Sequence, residues 1–232
     1  MIDIHCHILP DIDDGPRTFD ESMAMARMAA EDGVAVIVAT PHLNEKLYDP
    51  VEVSRRAAYL NHLLRKEQIP VSILRGGDVS VVFRPDQVAG FTINDTEYIL
   101  VEFPHTHLPR NAGEILHGYV ACGYKPIITH PERNPTIASQ PHLLGDILGE
   151  NTYVQITAGS LTGEFGQDAR QCAEHLLRAG MVDVIASDAH STGHRKPRLS
   201  AGMQAAAAIV GAERAQKMVF GNPVKIITGM DL

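Results

Sequence analysis

The sequence contains histidine and carboxylate pairs whose types and spacing suit divalent metal ions. His5 and His7 are separated by one residue, and Asp188 and His190 repeat that spacing much later in the chain. Alternate residues of a strand project to one side, so each pair could hold one ion. The other candidate ligands are Asp14, His42, Asp78, Glu102 and His130. Imidazoles and carboxylates without thiolates suit manganese, zinc or iron. We therefore predict a centre of two or three divalent ions, without choosing among these metals at this point.

Short apolar runs must position these residues, and six of the seven runs end in a candidate ligand. The runs are Ile2–His7, Val34–His42, Val71–Asp78, Tyr98–Glu102, Lys125–His130, Tyr153–Thr157 and Val182–His190. Parallel strands bring their carboxyl ends to one face of a sheet or barrel, where active sites are built. Ligands that are far apart in sequence are therefore expected to meet in one small volume.

Segments with helical spacing lie between the runs. They are Phe19 to Glu31, Pro50 to Lys66, 114–121, 140–148, 168–179 and 197–210. Alternating strands and helices predict right-handed crossovers and a parallel sheet. Seven units favour a closed or nearly closed (β/α)7 TIM-like barrel. An open doubly wound sheet is the alternative, although a glycine-rich phosphate loop does not follow the first run. We expect one domain over residues 1–232, because no linker-like stretch divides the sequence.

Composition limits the function classes. The net charge of −8 is not typical of a nucleic-acid-binding protein. No apolar run approaches the roughly 20 residues that span a bilayer, so membrane insertion is not expected. The three cysteines, Cys6, Cys122 and Cys172, have no disulfide or zinc-site spacing, which favours a reducing cytoplasm. We expect Cys6 to point away from its neighbouring histidines and to pack against outer helices.

Several polar residues near the run ends need a separate interpretation. Asp11, Asp13 and Asp14 lie close together, and we choose Asp14 as the ligand. Arg133 and Arg195 follow candidate ligands in loops at the expected metal face. A guanidinium matches phosphate oxygens, so these arginines predict a dianionic substrate such as a phosphate monoester.

Two further features lie near the predicted centre. His105 and His107 follow Glu102 closely and could line a substrate pocket. Gly76-Gly77 precedes Asp78 and could allow a close backbone approach or form a bulge.

The combined motifs resemble the polymerase and histidinol phosphatase (PHP) superfamily. Within it, they are most similar to bacterial manganese-dependent protein-tyrosine phosphatases that are encoded with capsular and exopolysaccharide genes. The resemblance covers essentially the whole chain. It rests on Met1-Ile2-Asp3-Ile4-His5-Cys6-His7, Asp13-Asp14-Gly15-Pro16, Pro41-His42, His130-Pro131-Glu132-Arg133 and Ser187-Asp188-Ala189-His190.

The resemblance implies a distorted seven-stranded barrel, the PHP fold, with three metals. The first metal would be held by His5, His7, Asp78 and Asp188. The second would share Asp78 and add Glu102 and His130. The third would be held by Asp14, His42 and His190, while Arg133 and Arg195 would bind phosphate and support catalysis. The family commonly has glutamate in place of Asp78, and the shorter side chain could change the metal spacing or occupancy.

The resemblance also implies a function, with Mn²⁺ as the expected ion. The expected activity is hydrolysis of phosphotyrosine in the tail of a membrane-associated tyrosine autokinase that regulates capsular or exopolysaccharide synthesis. Small-molecule phosphatases, such as those acting on histidinol phosphate, and metal-dependent amidohydrolases are alternatives. A further alternative is an inactive binding module. Cys6 does not lie in a Cys-x5-Arg phosphate loop, so a cysteine nucleophile is not expected.

Overall fold

The computed structural model describes residues 1–44 and 47–232, and it has a mixed α/β fold. The strands in this part of the chain are β1 (Ile2–Cys6), β2 (Val36–Ala39), β3 (His42–Leu43), β4 (Ser72–Arg75), β5 (Asp78–Ser80), β6 (Tyr98–Glu102), β7 (Lys125–Thr129), β8 (Tyr153–Thr157) and β9 (Val184–Ala186). Each predicted run contains at least one of these strands. The second and third runs each contain one strand and the first residue of another, because β3 begins at His42 and β5 begins at Asp78.

Helices alternate with the strands, as the spacing predicts. The α-helices in the described ranges are α1 (Phe19–Glu31), α2 (Pro50–Lys66), α3 (Ala112–Ala121), α4 (Pro135–Ser139), α5 (His142–Ile147), α6 (Ala158–Thr162), α7 (Gly166–Arg178), α8 (Ser200–Val210), α9 (Ala212–Gln216) and α10 (Asn222–Thr228). Short 3₁₀ turns cover Pro85–Gln87, Ala89–Phe91, Ile93–Asp95 and Pro131–Arg133, and Lys217–Gly221 is a π-helical turn. In residues 1–44 and 47–232, no helix is long and apolar enough to cross a membrane.

The first two helices have the predicted bounds, and local capping explains their starts. The Thr18 side chain accepts a hydrogen bond from Glu21 N, at 3.2 Å, before α1. The Asp49 carboxylate accepts one from Val51 N, at 2.9 Å, before α2, where Pro50 takes the first turn. These side chains satisfy backbone N–H groups that have no partner inside the helix.

The strands form two parallel sheets. The three-stranded sheet has the order β1-β2-β4, and the six-stranded sheet has the order β3-β5-β6-β7-β8-β9. A single bridge between Cys6 and Ala189 joins the ends of β1 and β9. The expectation of a parallel α/β arrangement is therefore confirmed, while the observed ladders do not form one continuous closed sheet.

Two short segments lead directly from a strand of the first sheet to a strand of the second. Thr40-Pro41 separates β2 from β3, and Gly76-Gly77 separates β4 from β5. A Cβ on Gly76 would lie 2.9 Å from Val38 Cγ1, and one on Gly77 would lie 2.9 Å from Leu43 Cδ1. The glycines therefore permit a close approach of the two segments, as one of the two sequence interpretations predicts.

Apolar side chains pack on both sides of the strands. The larger cluster joins outward strand residues, such as Ile99 and Ile185, to helix residues, such as Leu60 and Leu176. The smaller cluster contains strand residues of the opposite face, including Tyr98, Leu100, Val184 and Ala186. On that face, Glu102 continues the β6 alternation and Asp188 continues that of β9. The same alternation that builds the small cluster therefore aims carboxylates at the strand ends.

The first strand contains a local irregularity between Asp3 and Cys6, and His5 lies within it. Asp3 pairs with Ile37 and Cys6 pairs with Ala39, so three steps on β1 face two on β2. One extra residue is the signature of a β-bulge, which re-aims side chains near functional sites. Ile4 thereby lies in the small cluster, while Cys6 lies in the large one with the helices, as predicted.

Candidate metal centre

All nine predicted ligands lie within groups of side chains that could hold a metal ion. The groups in the described residues are His5–His7–Asp78, His5–His130–Asp188, His42–Asp78–Glu102, Glu102–His105–His130 and His7–Asp14–His42–His190. Each group places its ligand atoms within 4.8 Å of one another. The strand ends therefore bring together residues separated by most of the chain.

The most buried part of the centre surrounds His5 of β1 and His7, which follows the end of that strand. The Nε2 atoms of His5 and His7 lie 3.2 Å apart. Asp188 Oδ1 lies 3.3 Å from the first and 3.4 Å from the second. Asp78 Oδ2 lies 3.6 Å from His5 Nε2, and its side chain is fully buried. Two imidazoles and two carboxylates thus face one point.

A second part lies between β3, β6 and the end of β7. His130 Nε2 is 3.3 Å from Glu102 Oε1. His42 Nδ1 is 3.1 Å from Asp78 Oδ2 and 3.5 Å from Glu102 Oε2. Asp78 therefore lies between the first part and the second, which is the place of a bridging carboxylate.

His105 also reaches this second part. Its Nε2 lies 3.2 Å from Glu102 Oε1, and its ring stacks on that of His130 at 5.7 Å. Its side chain is 60% exposed, unlike the buried ligands. His107 is exposed and pairs locally with Thr106 Oγ1 at 3.0 Å. Of the two predicted pocket histidines, His105 therefore lies at the centre.

The third part is nearest to the solvent. His190 Nε2 is 3.1 Å from Asp14 Oδ1, and His42 Nε2 is 3.7 Å from the same oxygen. The Asp14 side chain is 61% exposed. The ring of His7 packs against that of His190 at 3.9 Å, so this part is continuous with the buried histidines.

The donor set fits hard or borderline divalent cations. In residues 1–44 and 47–232, six buried atoms of the centre lack a regular hydrogen-bond partner: His42 Nδ1, Asp78 Oδ2, Glu102 Oε1, His130 Nε2, Asp188 Oδ1 and His190 Nε2. Burying polar atoms without partners is costly, and coordination of a cation would satisfy them. Imidazole nitrogens and carboxylate oxygens are the ligands expected for manganese, zinc or iron.

Two polar side chains that the sequence analysis did not select hold the β1 histidines in place. His5 Nδ1 lies 2.8 Å from Gln155 Oε1. Since an amide oxygen only accepts, Nδ1 carries the proton and Nε2 has a free lone pair. Asp13 Oδ2 likewise accepts a hydrogen bond from His7 Nδ1, at 2.7 Å. Such partners fix the tautomer and ring orientation of a metal-binding histidine.

Both of these supporting residues left a weak signal in the sequence. Gln155 is a polar residue in the middle of Tyr153–Thr157, which is the one predicted run without a candidate ligand. It is fully buried, as an unpartnered glutamine rarely is. Asp13 is one of three neighbouring aspartates, of which the sequence analysis selects Asp14 as the ligand. The structure places Asp14 in a ligand group, in agreement with that choice, and Asp13 beside His7 Nδ1.

The two predicted phosphate-binding arginines converge on one carboxylate. Arg195 Nη2 lies 2.6 Å from Asp188 Oδ2, and Arg133 Nη1 contacts the same oxygen. Their side chains are 25% and 16% exposed, so both can be reached from solvent. Asp188 presents its other oxygen to the β1 histidines. The arginines therefore lie directly beside the ligand cluster, as the sequence predicts.

The acid in the His130-Pro131-Glu132-Arg133 motif has a different place. Glu132 is fully buried, and its Oε1 accepts hydrogen bonds from Thr157 N at 2.9 Å and Ser160 Oγ at 2.6 Å. It thus anchors the loop after β7 to the end of β8. Burial is the main effect on this carboxyl and raises its pKa.

Burial and neighbouring charged groups shift the pKa values of several histidines and carboxylates in the centre. Burial lowers the pKa of His5 to about 4, although Asp188 and Asp78 oppose this effect. Burial alone would also lower the pKa of His42, but Asp78 and Glu102 outweigh it and raise the pKa to about 11. Burial would raise the pKa of Asp188, yet its interactions with His5, His7 and Arg195 hold that pKa well below its usual range.

Three residues of the centre have backbone conformations that side chains rarely adopt. The φ angles are +35° at His130, +51° at Asp188 and +52° at Arg195. A left-handed conformation at a non-glycine residue costs on the order of 1–3 kcal/mol, and such residues cluster at functional sites. Here the conformations turn the chain at the ends of β7 and β9, so that the side chains face the centre.

Comparisons with known proteins agree with this arrangement. The family model for capsular polysaccharide synthesis, CpsB/CapC, matches residues 1–228. Tyrosine-protein phosphatase YwqE of Bacillus subtilis (strain 168) is 41% identical over 201 residues, which cover 84% of this chain and 79% of that protein.

Solved structures give the same result. A chain from the crystal structures of YwqE from Bacillus subtilis and CpsB from Streptococcus pneumoniae, described as unique metal-dependent tyrosine phosphatases, matches with a TM-score of 0.93 and 36% identity. The match covers 100% of this chain and 96% of that chain. An amidohydrolase from Mycoplasma synoviae shares the fold at a TM-score of 0.63 and 11% identity, over 100% of this chain and 88% of its own. The chain belongs to the CpsB/CapC family of capsular polysaccharide synthesis proteins.

Proposed function

We propose that this protein is a metal-dependent phosphatase that hydrolyses phosphotyrosine in proteins. The observation that carries the proposal is the convergence of nine candidate ligands beside two arginines that meet at Asp188. An amidohydrolase would not need this pair of cations next to its metals, because its substrate is not a dianion. The names of relatives at 36–41% identity support the same activity.

The residues that would hold the ions are those of the three parts described above. His5, His7, Asp78 and Asp188 would hold one ion, Asp78, Glu102 and His130 a second, and Asp14, His42 and His190 a third. Manganese is the proposed ion, with zinc or iron as alternatives. Divalent ions supply positive charge to phosphoryl oxygens and lower the pKa of water when they are bound in such a centre.

The protein's own residues would orient the substrate. The guanidinium groups of Arg133 and Arg195 present donors that match two phosphoryl oxygens and stabilise the charge that grows on them during transfer. The Asp188 carboxylate contacts both guanidinium groups and holds them in place. Gln155 and Asp13 fix the neutral tautomers of His5 and His7 with the proton on Nδ1, so that Nε2 of each ring would be the atom that binds an ion. The phenolic leaving group has a pKa near 10, so full protonation by a side chain is not required for departure.

We further propose that the two sheets are parts of one distorted seven-stranded barrel. Backbone hydrogen bonds that continue past the sheet ends support this view: Gly76 N to Ala39 O at 2.9 Å and Asp78 N to Pro41 O at 3.1 Å. On the other side, Asp188 N donates to His5 O and His7 N donates to Ala189 O, both at 2.8 Å. Counting β2 with β3 and β4 with β5 gives seven strands in chain order.

The proposed setting is a cytoplasmic single-domain enzyme over residues 1–232. Its substrate would be the phosphotyrosine-containing tail of a membrane-associated tyrosine autokinase. Membership of the capsular polysaccharide synthesis family supports a role in capsule or exopolysaccharide regulation. A small-molecule phosphatase, such as one acting on histidinol phosphate, would use the same metals and arginines and is the competing function.

The test compares metal-depleted and manganese-loaded protein on a phosphotyrosine peptide and on histidinol phosphate. We expect manganese to restore hydrolysis of the peptide, His5→Ala to abolish it, and Arg133→Ala to raise KM and lower kcat. A preference for histidinol phosphate would replace the protein substrate with a small molecule. Hydrolysis of neither substrate by folded, metal-loaded protein would refute the phosphatase function.

A further inference from the structure

One aromatic side chain, Phe165, lines a cavity beside each of the two arginines, and neither metal binding nor phosphate binding accounts for it. Phe165 lies in the turn between α6 and α7, with Gly163 and Gly166 on either side at φ +88°. The turn is closed by hydrogen bonds from Glu164 N to Gly159 O at 2.9 Å and from Gly166 N to Gly163 O at 3.1 Å. The ring is therefore held by a defined backbone rather than by an open loop.

The ring packs directly on one of the arginines. The guanidinium carbon of Arg133 lies 4.2 Å from the centroid of the Phe165 ring, within the range of a cation–π contact. Arg133 in turn contacts Asp188. The aromatic ring is thus one side chain away from the metal cluster.

Phe165 also forms a wall shared by two surface cavities. The larger cavity, of about 560 Å³, is lined by Arg133, Pro135, Ala138 and Ala169 among others. The smaller one, of about 290 Å³, is lined by Arg195 and His194. Each cavity thus combines the same ring with one of the predicted phosphate-binding arginines, and the larger one also offers apolar side chains.

We infer that Phe165 determines specificity for aryl phosphates by packing against the aromatic ring of the substrate in the larger cavity. The inference rests on the proposed function. Because Arg133 lines this cavity, a phosphate bound at Arg133 would bring the group esterified to it next to the cavity. A phenyl ring would pack against Phe165 in an offset or edge-on arrangement and bury apolar surface on Pro135 and Ala138. The short arm of an alkyl phosphate would leave that surface uncovered.

A second role for Phe165 predicts a different outcome. If the ring only held Arg133 in position, its loss would weaken binding of every phosphate equally. The comparison of aryl with alkyl substrates therefore separates direct contact from positioning. The charge of the phosphate is the same in both, so Arg133 and Arg195 affect both alike.

The experiment uses manganese-loaded full-length protein with Phe165→Leu and Phe165→Tyr, on phenyl phosphate and n-butyl phosphate. We expect Phe165→Leu to raise KM for phenyl phosphate by roughly 3- to 10-fold, as the loss of an aromatic pair would. The KM for n-butyl phosphate should stay within twofold, and Phe165→Tyr should retain the wild-type preference. Unchanged constants for phenyl phosphate, or equal losses on both substrates, would overturn the inference.

A binding measurement keeps this inference separate from the phosphatase proposal. Titration with phenylphosphonate and methylphosphonate requires no turnover, and Phe165→Leu should weaken only the former. If the wild type hydrolyses no phosphate, the phosphatase function fails, while these titrations still decide the role of Phe165. Should Phe165→Leu not fold, Gly159→Ala would displace the ring together with the Glu164 side chain, because its Cβ would lie 2.9 Å from both Phe165 Cε2 and Glu164 Oε2. The same aryl-selective loss is expected, and an equal loss on both phosphonates would contradict the inference.

Discussion

Gln155 Oε1 lies 2.8 Å from His5 Nδ1, although 150 positions separate the two residues in the chain. Both side chains are fully buried. The bond leaves Nε2 of His5 as the acceptor atom that faces Asp78 and Asp188. An interior amide thus decides which nitrogen of the histidine is available to a cation.

This bond predicts the effect of Gln155→Met, which keeps the length of the side chain and removes the acceptor. We expect manganese affinity to fall by roughly 10- to 100-fold, as is typical when the partner of a metal-binding histidine is lost. Titration of metal-depleted protein with manganese measures this, with Gln155→Glu as the control that retains an acceptor oxygen. Equal affinity of Gln155→Met and wild type would mean that the amide has no part in metal binding.

Asp13 and Asp11 provide a matched pair of substitutions. Asp13 Oδ2 accepts hydrogen bonds from His7 Nδ1 at 2.7 Å and His42 N at 3.1 Å, and Oδ1 accepts one from Gly15 N. Asp13→Asn would turn an NH₂ group toward at least one of these donors, so we expect manganese affinity to fall about tenfold.

The control is Asp11→Asn, since Asp11 is exposed and asparagine tolerates its φ of +52°. Its manganese affinity should equal that of the wild type. Circular dichroism would check that both variants are folded. Identical behaviour of the two variants would argue against a supporting role for Asp13.

The place of Asp78 between two parts of the centre predicts that its charge matters more than its length. Asp78→Asn keeps the shape but removes the negative charge beside His5 and His42, so activity and manganese affinity should fall on the order of 10- to 100-fold. Asp78→Glu keeps the charge and should stay within about tenfold of wild type. Steady-state kinetics at saturating manganese measure both, and the opposite ranking would contradict a bridging role.

Substitution of Gly77 is expected to change the stability of the fold rather than the chemistry of the site. A Cβ there would lie 2.9 Å from both Leu43 Cδ1 and Phe91 Cβ. Overpacking of this kind costs about 1–3 kcal/mol, so Gly77→Ala should lower the Tm by roughly 2–12 °C at fixed manganese concentration. Gly118→Ala is the control, because Gly118 lies in α3 with no atom within 4 Å of its added Cβ. That change should maintain or raise the Tm; a Tm loss equal to that of Gly77→Ala would count against the packing argument.

Much of the site follows from the sequence because a strand end carries its own signal. Eight of the nine ligands stand at or near the end of an apolar run, and alternation indicates the side to which they point; Asp14 is the exception. The supporting residues leave a weaker signal, since the Gln155–His5 bond depends on how β8 lies relative to β1. The choice between Asp13 and Asp14 likewise depends on the turn after β1, which spacing does not define.

The sequence also predicts the strands and the long helices of the fold, but not the short helices or the division into two sheets. Strands and long helices have periodic patterns, and α1 and α2 have their predicted bounds. Helices of five to seven residues, such as α6, α9 and α10, are too short to show a period. The breaks at Thr40-Pro41 and Gly76-Gly77 depend on contacts between neighbouring strands, and for this reason the division into two sheets was not predicted.

The central claim is that distant strand ends together hold several divalent ions. Anomalous diffraction from crystals of manganese-loaded protein tests it most directly. We predict manganese peaks at two or three positions, within ligand distance of the His5–His7–Asp78, Glu102–His130 and Asp14–His42–His190 groups. An active, manganese-loaded crystal without peaks among these side chains would contradict the claim.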